Sequence, residues 1–296
     1  MVGGAERKVI VVGAALLQLH LRVPRLPSSG GDVLAEALQV GLGGSGINVA
    51  RALSELGAPL EFVLRRGDGP LDRLAQDELH RLGISVCGGH SQRPSGVTMA
   101  LVEPSGERSL VSAAGAEGEV GAVDLRQADL AHAGFLYVSG YEAISSPDLE
   151  PTVAHLPSRI EVLLDPGPRG VQGTLQAVWA RADIVRMNAD EALLRSGAKD
   201  ARDAAARLSG EGRTVVVSVP DGAYLGQGGD VLKIAGQGPV QGDTTGAGDA
   251  QAAGILAGRR LGMPMADAIA AGNRAAHARV AGQRLTPAVL SGMGQG

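Results

Sequence analysis

The stretch Gly242-Asp243-Thr244-Thr245-Gly246-Ala247-Gly248-Asp249 governs how the rest of this chain is read. It follows a loop at 236–240 and opens a segment over 246–261 that is rich in Ala and Gly and reads as a helix. Thr244 or Thr245 is expected to cap that helix. Gly246, Ala247 and Gly248 carry almost no side chain, so their N–H groups would lie bare at a helix N-terminus, where the dipole favours an anion. Asp249 falls in the first turn beside them. A carboxylate next to an anion hole is what phosphoryl transfer to a hydroxyl requires: donors for the moving phosphoryl group and an acceptor for the hydroxyl proton. The same spacing also fits a plain capped helix whose first-turn Asp complements the dipole.

Outward from that turn, the chain alternates strands and helices. Val9–Val12 is a β-branched run ending at Gly13 and reads as a central parallel strand. Further strands are expected at 60–64, 135–139, 161–164, 183–186 and 214–219, with a hairpin over 224–226 and 231–234. Helices are expected at 47–56, 71–82, 147–156, 171–180, 189–196, 200–208, 246–261 and 264–282. This order implies an α/β fold with a doubly wound, mostly parallel sheet. Two segments do not fit a buried parallel sheet. Residues 17–23 alternate, with Gln18, His20 and Arg22 on one face, and 97–112 is a hairpin around Pro104-Ser105-Gly106. They are expected to form a small antiparallel lid over a cleft.

Two more motifs carry chemistry. Gly41-Leu42-Gly43-Gly44-Ser45-Gly46-Ile47-Asn48 matches G-x-G-x-x-G, and Glu61 lies about 20 residues on. A dinucleotide fingerprint directly follows a buried strand, and 33–40, with Glu36 and Gln39, is not one. The other use is a glycine loop that lets backbone and Asn48 touch a hydroxylated ligand. Asn188-Ala189-Asp190-Glu191 is a capping box after a strand, or a site for hydrated Mg²⁺ and phosphate.

Composition removes other classes. The chain has 296 residues, 44% apolar and 20% charged, and reads as globular. A net charge of −4 and only 2% aromatic residues argue against nucleic acid as a partner. The three lysines, Lys8, Lys199 and Lys233, do not follow a glycine, so there is no Walker A lysine. Cys87, the one cysteine, excludes an internal disulfide and fits a reducing compartment. The six histidines lack metal-ligand spacing. No apolar run approaches a membrane span, and 9–17 reads as a buried strand rather than a signal segment.

Together the motifs resemble the ribokinase-like, or PfkB, carbohydrate kinases. Residues 43–57 look like that family's N-terminal signature and 243–249 like its C-terminal one, Asn188-x-x-Glu191 matches its N-x-x-E motif, and Asp165-Pro166-Gly167-Pro168-Arg169 is similar to its Asp-Pro-Asn-Pro-Arg stretch. The resemblance covers about 9–290. It implies one Rossmann-like unit over 1–296 with lid segments near 15–38 and 95–113. It also implies ATP- and Mg²⁺-dependent phosphorylation of a sugar or nucleoside hydroxyl in the cytoplasm. Asp249 would be the base and Gly246, Ala247 and Gly248 the anion hole. Asn188 and Glu191 would organise phosphate and Mg²⁺, Glu191 through water. Gly43, Gly44 and Asn48 would hold the substrate. Asp243 and Thr245 match positions that bind a monovalent cation such as K⁺ in some members, and the lid often makes a homodimer.

Two departures stand out. Relatives carry Asp at an offset after the first strand where this chain has Gln18, a neutral donor and acceptor. The nucleotide loop is Ser218-Val219-Pro220-Asp221-Gly222, shorter than usual and with a proline; Ser218 and Gly222 are its ATP-facing residues. These departures keep alternatives open: a nucleoside or sugar-phosphate kinase, or a sugar-binding relative without catalysis. Arg22, Arg25, Arg93 and Arg108, on or beside the lid, motivate the sugar-phosphate alternative. An NAD-dependent oxidoreductase using 41–46 is a third class.

Overall fold

A computed structural model describes residues 7–173, 175–210 and 212–292; residues 1–6, 174, 211 and 293–296 of the expected 1–296 unit lie outside the described residues. The strands in chain order are β1 Lys8–Val12, β2 Leu16–Arg22, β3 Ala37–Gly43, β4 Leu60–Val63, β5 Val86–Cys87, β6 Val97–Val102 and β7 Arg108–Ala113. They continue with β8 Ala133–Ser139, β9 Glu161–Asp165, β10 Ile184–Asn188, β11 Thr214–Val219, β12 Gly222–Gln227 and β13 Asp230–Ala235.

Nine of these strands form one sheet in the order β13-β12-β11-β10-β9-β8-β1-β4-β5. From β11 to β5 every pairing is parallel, and β12 and β13 add an antiparallel edge. Period-2 burial explains the layering. Val9 and Val11 join one apolar cluster, and Ile10 and Val12 join the other, on the opposite face. The first cluster is filled by the helices Ser45–Glu55, Ala247–Arg260 and Met265–Val280, the second by Leu149–Ala154, Gln176–Arg181 and Ala201–Ser209. This is a doubly wound α/β sheet. Strand order reverses at β1, flanked by β8 and β4, and crevices at such reversals, beyond the carboxyl ends of the strands, are where α/β sheets bind ligands.

The other four strands form a separate sheet, β3-β2-β6-β7, which is mixed rather than antiparallel as expected, because its two hairpins join through a parallel β2–β6 pairing. Its second strand runs over Ala37–Gly43, later than the expected lid segment of 15–38. Glycines at 41 and 43 hide it from propensity, yet it pairs with β2 along its whole length, from Arg22↔Ala37 to Leu16↔Gly43. Residues 41–43 are therefore strand rather than loop. Because the strand before Gly44 belongs to this sheet and not to the central one, the dinucleotide reading of 41–46 falls.

Glycine is required where β1 meets the helix Ser45–Glu55. A Cβ on Gly13 would lie 2.5 Å from Gly46 Cα, so the two backbones touch. Gly44 caps that helix at φ 108, outside the range of most side chains.

Candidate active site

The carboxyl edge of the central sheet collects polar groups by register. Ser139 lies opposite Asp165, and Asn188 opposite Ser218, at the ends of β8 to β11. Over this edge sits the N-terminus of the helix Ala247–Arg260. Its N-cap is Gly246 in the left-handed region, φ 76, without a side-chain cap. Neither Thr244 nor Thr245 caps the helix as expected. The left-handed turn at Gly246 aims the chain so that Thr244 accepts from Ala247 N through its carbonyl (3.1 Å), while Thr245 N turns back to Asp243 Oδ1 (2.9 Å).

Asp249 is held by Asn48, whose Nδ2 donates to Oδ2 at 2.9 Å across 201 residues of sequence. Burial, then the nearby Asp165 carboxylate, push the Asp249 carboxyl up to about 7, against the Asn48 hydrogen bond and the charges of Arg186 and Arg279. A carboxylate tuned near neutrality is suited to general-base work.

Arg186 is the residue that sequence reading missed. It lies at the end of what reads as an ordinary strand, yet only 8% of it is exposed. Its guanidinium donates to Gln251 Oε1 (3.0 Å), Asp165 Oδ2 (3.2 Å) and Ser218 Oγ (3.0 Å). Gln251 Nε2 continues to Asn273 Oδ1 (2.8 Å), and Asn273 donates to the Ala235 carbonyl (3.1 Å). A Cβ on Gly248 would stand 2.5 Å from Arg186 Nη1. The turn Gly246-Ala247-Gly248 therefore rests directly against a buried positive charge, and Gly248 is required for that approach. The available signal was an arginine inside a parallel strand buried on both faces, which demands partners.

Asn188 and Glu191 form the capping box in full. Asn188 Oδ1 accepts from Glu191 N (2.8 Å), and Glu191 Oε2 accepts from Asn188 N (3.0 Å). Burial and then the charges of Asp165 and Asp190 raise the Glu191 carboxyl, against the Asn188 bond and Arg186. Ser218 and Gly222 line a cavity of about 450 Å³ beside Gly248, whose other walls include Pro220, Val240, Ala276 and Val280. The short 218–222 loop is a tight β11–β12 hairpin: Val219 pairs with Gly222, and Gly222 needs its φ of 135.

On the lid, Gln18 lies across Gly43, where a Cβ would collide with its amide, and its Oε1 is 3.3 Å from His20 Nε2. Asp243 and Thr245 face the lid too: Arg108 reaches both, at 2.6 and 2.5 Å. Among the described residues, no group of three or more His, Cys, Asp or Glu side chains gathers to hold a metal directly.

The sequence model of the pfkB family carbohydrate kinases matches residues 6–288. The chain belongs to that family. A relative in Escherichia coli, the uncharacterised sugar kinase YegV, is 31% identical over 284 residues, covering 92% of this chain and 88% of its own. The ATP-dependent ribose-1-phosphate kinase of Halopiger xanaduensis is 28% identical over 262 residues, 84% of either chain. In fold, the chain is similar to the ribokinase of Thermotoga maritima (TM-score 0.84, 19% identity, 97% of this chain and 98% of that one). It is likewise similar to the Arabidopsis thaliana ribokinase complexed with ribose and ATP (TM-score 0.81, 22% identity, 97% and 98%). The chain is thus an enzyme of the carbohydrate-kinase family with the ribokinase-like fold.

Proposed function

We propose that this kinase transfers the γ-phosphoryl group of ATP to a hydroxyl of a sugar or closely related polyol. The observation that carries the reading is Asp249, tuned to about 7, one residue past the bare turn Gly246-Ala247-Gly248 that lies against buried Arg186. Asp249 takes the hydroxyl proton through the oxygen that Asn48 does not hold. The N–H groups of the turn and the Arg186 charge stabilise the transferred group. The 450 Å³ cavity, within the range of small-molecule sites, takes the nucleotide, its apolar walls suiting a base and Ser218 and Gly222 bordering its phosphate side. Gln18, Gly43, Gly44 and Asn48 form the acceptor side.

Mg²⁺ fits this site. Asp165, Glu191 and Asp249 set three carboxyl groups against the one guanidinium of Arg186, the Asp165 charge adds to burial in raising Glu191 and Asp249, and all their donors are oxygens. Asn188 and Glu191 would hold the ion through water. When bound, Mg²⁺ neutralises phosphate charge. A monovalent cation fits less well, because the side chains of Asp243 and Thr245 already engage Arg108.

A homodimer through the lid is supported by one face of its sheet, where Leu38, Val40 and Val111 are 57%, 54% and 65% exposed. Among the described residues no helix is long and apolar enough to cross a membrane. Burial, first, pushes the Cys87 thiol up to about 12, so the one cysteine is chemically quiet; a cytoplasmic setting, where ATP is available, accords with this.

ADP release across a panel of sugars, sugar phosphates and nucleosides tests the reading. Turnover with a neutral sugar is expected. Saturable sugar binding without ADP release would instead mark a binding protein.

A further inference from the structure

The lid is fastened to the turn that opens the catalytic helix. Arg108, the first residue of β7, donates from Nη1 to Thr245 Oγ1 (2.5 Å) and from Nη2 to Asp243 Oδ1 (2.6 Å). The same Asp243 oxygen accepts from Thr245 N (2.9 Å) and Thr245 Oγ1 (2.7 Å). Thr245 thus commits its hydroxyl proton to the carboxylate and offers a lone pair to the guanidinium. Beside this contact lies a cavity of about 180 Å³ lined by His20, Arg22 and Gln39 of the lid.

Asp243 thus gathers three donors on one carboxylate oxygen, three residues before Gly246. An unopposed negative charge there would repel the phosphates that the anion hole receives. A counter-cation is required, and a planar guanidinium that forks to two oxygens supplies both charge and shape. We propose that Arg108 is this cation, a positioning residue that sets the anion-hole turn when the lid is down, so that turnover needs no K⁺ or other monovalent metal ion. The inference rests on the kinase reading for its catalytic consequence. Its structural core, an arginine clamp between lid and turn, stands apart from that reading. Both partners are partly exposed, 33% for Arg108 and 57% for Asp243, so the pair contributes little to folding, and Arg108→Ala should fold.

The test compares wild type, Arg108→Ala and Arg108→Lys, with circular dichroism to check folding. ATP-dependent sugar phosphorylation is measured in K⁺, Na⁺ and tetramethylammonium buffers. Wild type should turn over equally in all three. Arg108→Ala should lose about 10–10²-fold in kcat, the cost of a small displacement of catalytic groups, with little change in acceptor KM. Millimolar guanidinium should restore part of the loss, and Arg108→Lys, with charge but no fork, should fall between the two. Several-fold K⁺ activation of wild type overturns the proposal. So does a loss in Arg108→Ala that appears only as a raised KM for phosphorylated acceptors, which would make Arg108 a ligand of the substrate. Hydrogen exchange of the ligand-free proteins provides a readout without turnover. Amides over 243–248 should exchange faster in Arg108→Ala, and unchanged exchange overturns the clamp. If wild type turns over no acceptor, the kinase reading fails, and the exchange experiment still decides the clamp.

Discussion

The carboxyl edge of the central sheet and the lid build polar function in different ways. At the sheet edge, charge is buried and cross-linked: Arg186 joins β9, β10, β11 and the helix Ala247–Arg260 through Asp165, Ser218 and Gln251. On the lid, polar groups stand in alternation on a thin sheet, each with one or two neighbours, as Gln18 and His20 show. A group in the first setting cannot be removed without stranding its partners, whereas one in the second can be removed nearly alone. Mutations at the edge should therefore change chemistry and stability together, and those on the lid should change activity while the fold stays intact.

The largest effect is expected at Asp249. Asp249→Asn keeps shape and loses the base, so kcat should fall by about 10²–10⁴-fold while ATP affinity holds. Steady-state kinetics with an ATP titration measures both. Turnover close to wild type would remove Asp249 from the chemistry. The raised carboxyl also has a stability consequence. The folded protein holds this proton up to about pH 7 and the unfolded chain releases it near 3.8, so the native state binds more protons in that window. Stability from this group is full below the unfolded value and is lost as pH rises through the folded one. Asp249→Asn should therefore melt higher than wild type at pH 8, with the gain vanishing towards pH 4. For the same reason, the acid limb of wild-type kcat/KM should fall near pH 7.

Arg186→Met should come next. It strands Asp165, whose side chain is 12% exposed, and breaking one partner of a buried pair costs about 3–5 kcal/mol. Thermal melting should show a large loss together with weaker ATP binding. Where folded protein is recovered, the pH at which kcat/KM declines should move up, because Arg186 holds the Asp249 carboxyl down. An unchanged melt would mean that the edge is no more coupled than the lid.

The two regions also differed in how far sequence revealed them. The central strands were readable because burial on both faces forces apolar runs such as Val9–Val12, and the turn Gly246-Ala247-Gly248 because glycine is the residue that admits φ 76 at 246 and the Arg186 approach at 248. Arg186 itself was not readable as a site residue. Its function comes from three partners 21, 32 and 65 residues away, which no local window contains. The lid strand Ala37–Gly43 was obscured for another reason: its glycines lower propensity, and its strand character comes from pairing with β2.

Gln18→Ala tests the lid side at smaller amplitude. The amide covers Gly43 and has no buried partner to strand, so acceptor KM should rise by about tenfold, kcat should change far less, and the melting temperature should hold. A fall in kcat equal to the change in kcat/KM would place Gln18 in the transition state and blur the contrast with the edge.

The smallest effect on the chemistry is expected on the outer face of the lid. Val40 pairs with Leu19 and Val111 with Met99, so the two exposed valines share the face that carries Leu38. An apolar sheet face open to water suits a second copy, and like charges placed on both sides of such a contact oppose it. Val40→Glu and Val111→Glu lie at exposed positions and should each change the stability of the single chain by no more than about 0.5 kcal/mol. Sedimentation at several concentrations should show wild type as a dimer and the double variant as a monomer. The variant's kcat should stay close to wild type, because neither valine touches the cleft face that bears Gln18 and His20. If the double variant also loses most of its turnover, the lid must be held by its partner to close on Asp243, and the two regions would be coupled through the dimer rather than separable within one chain.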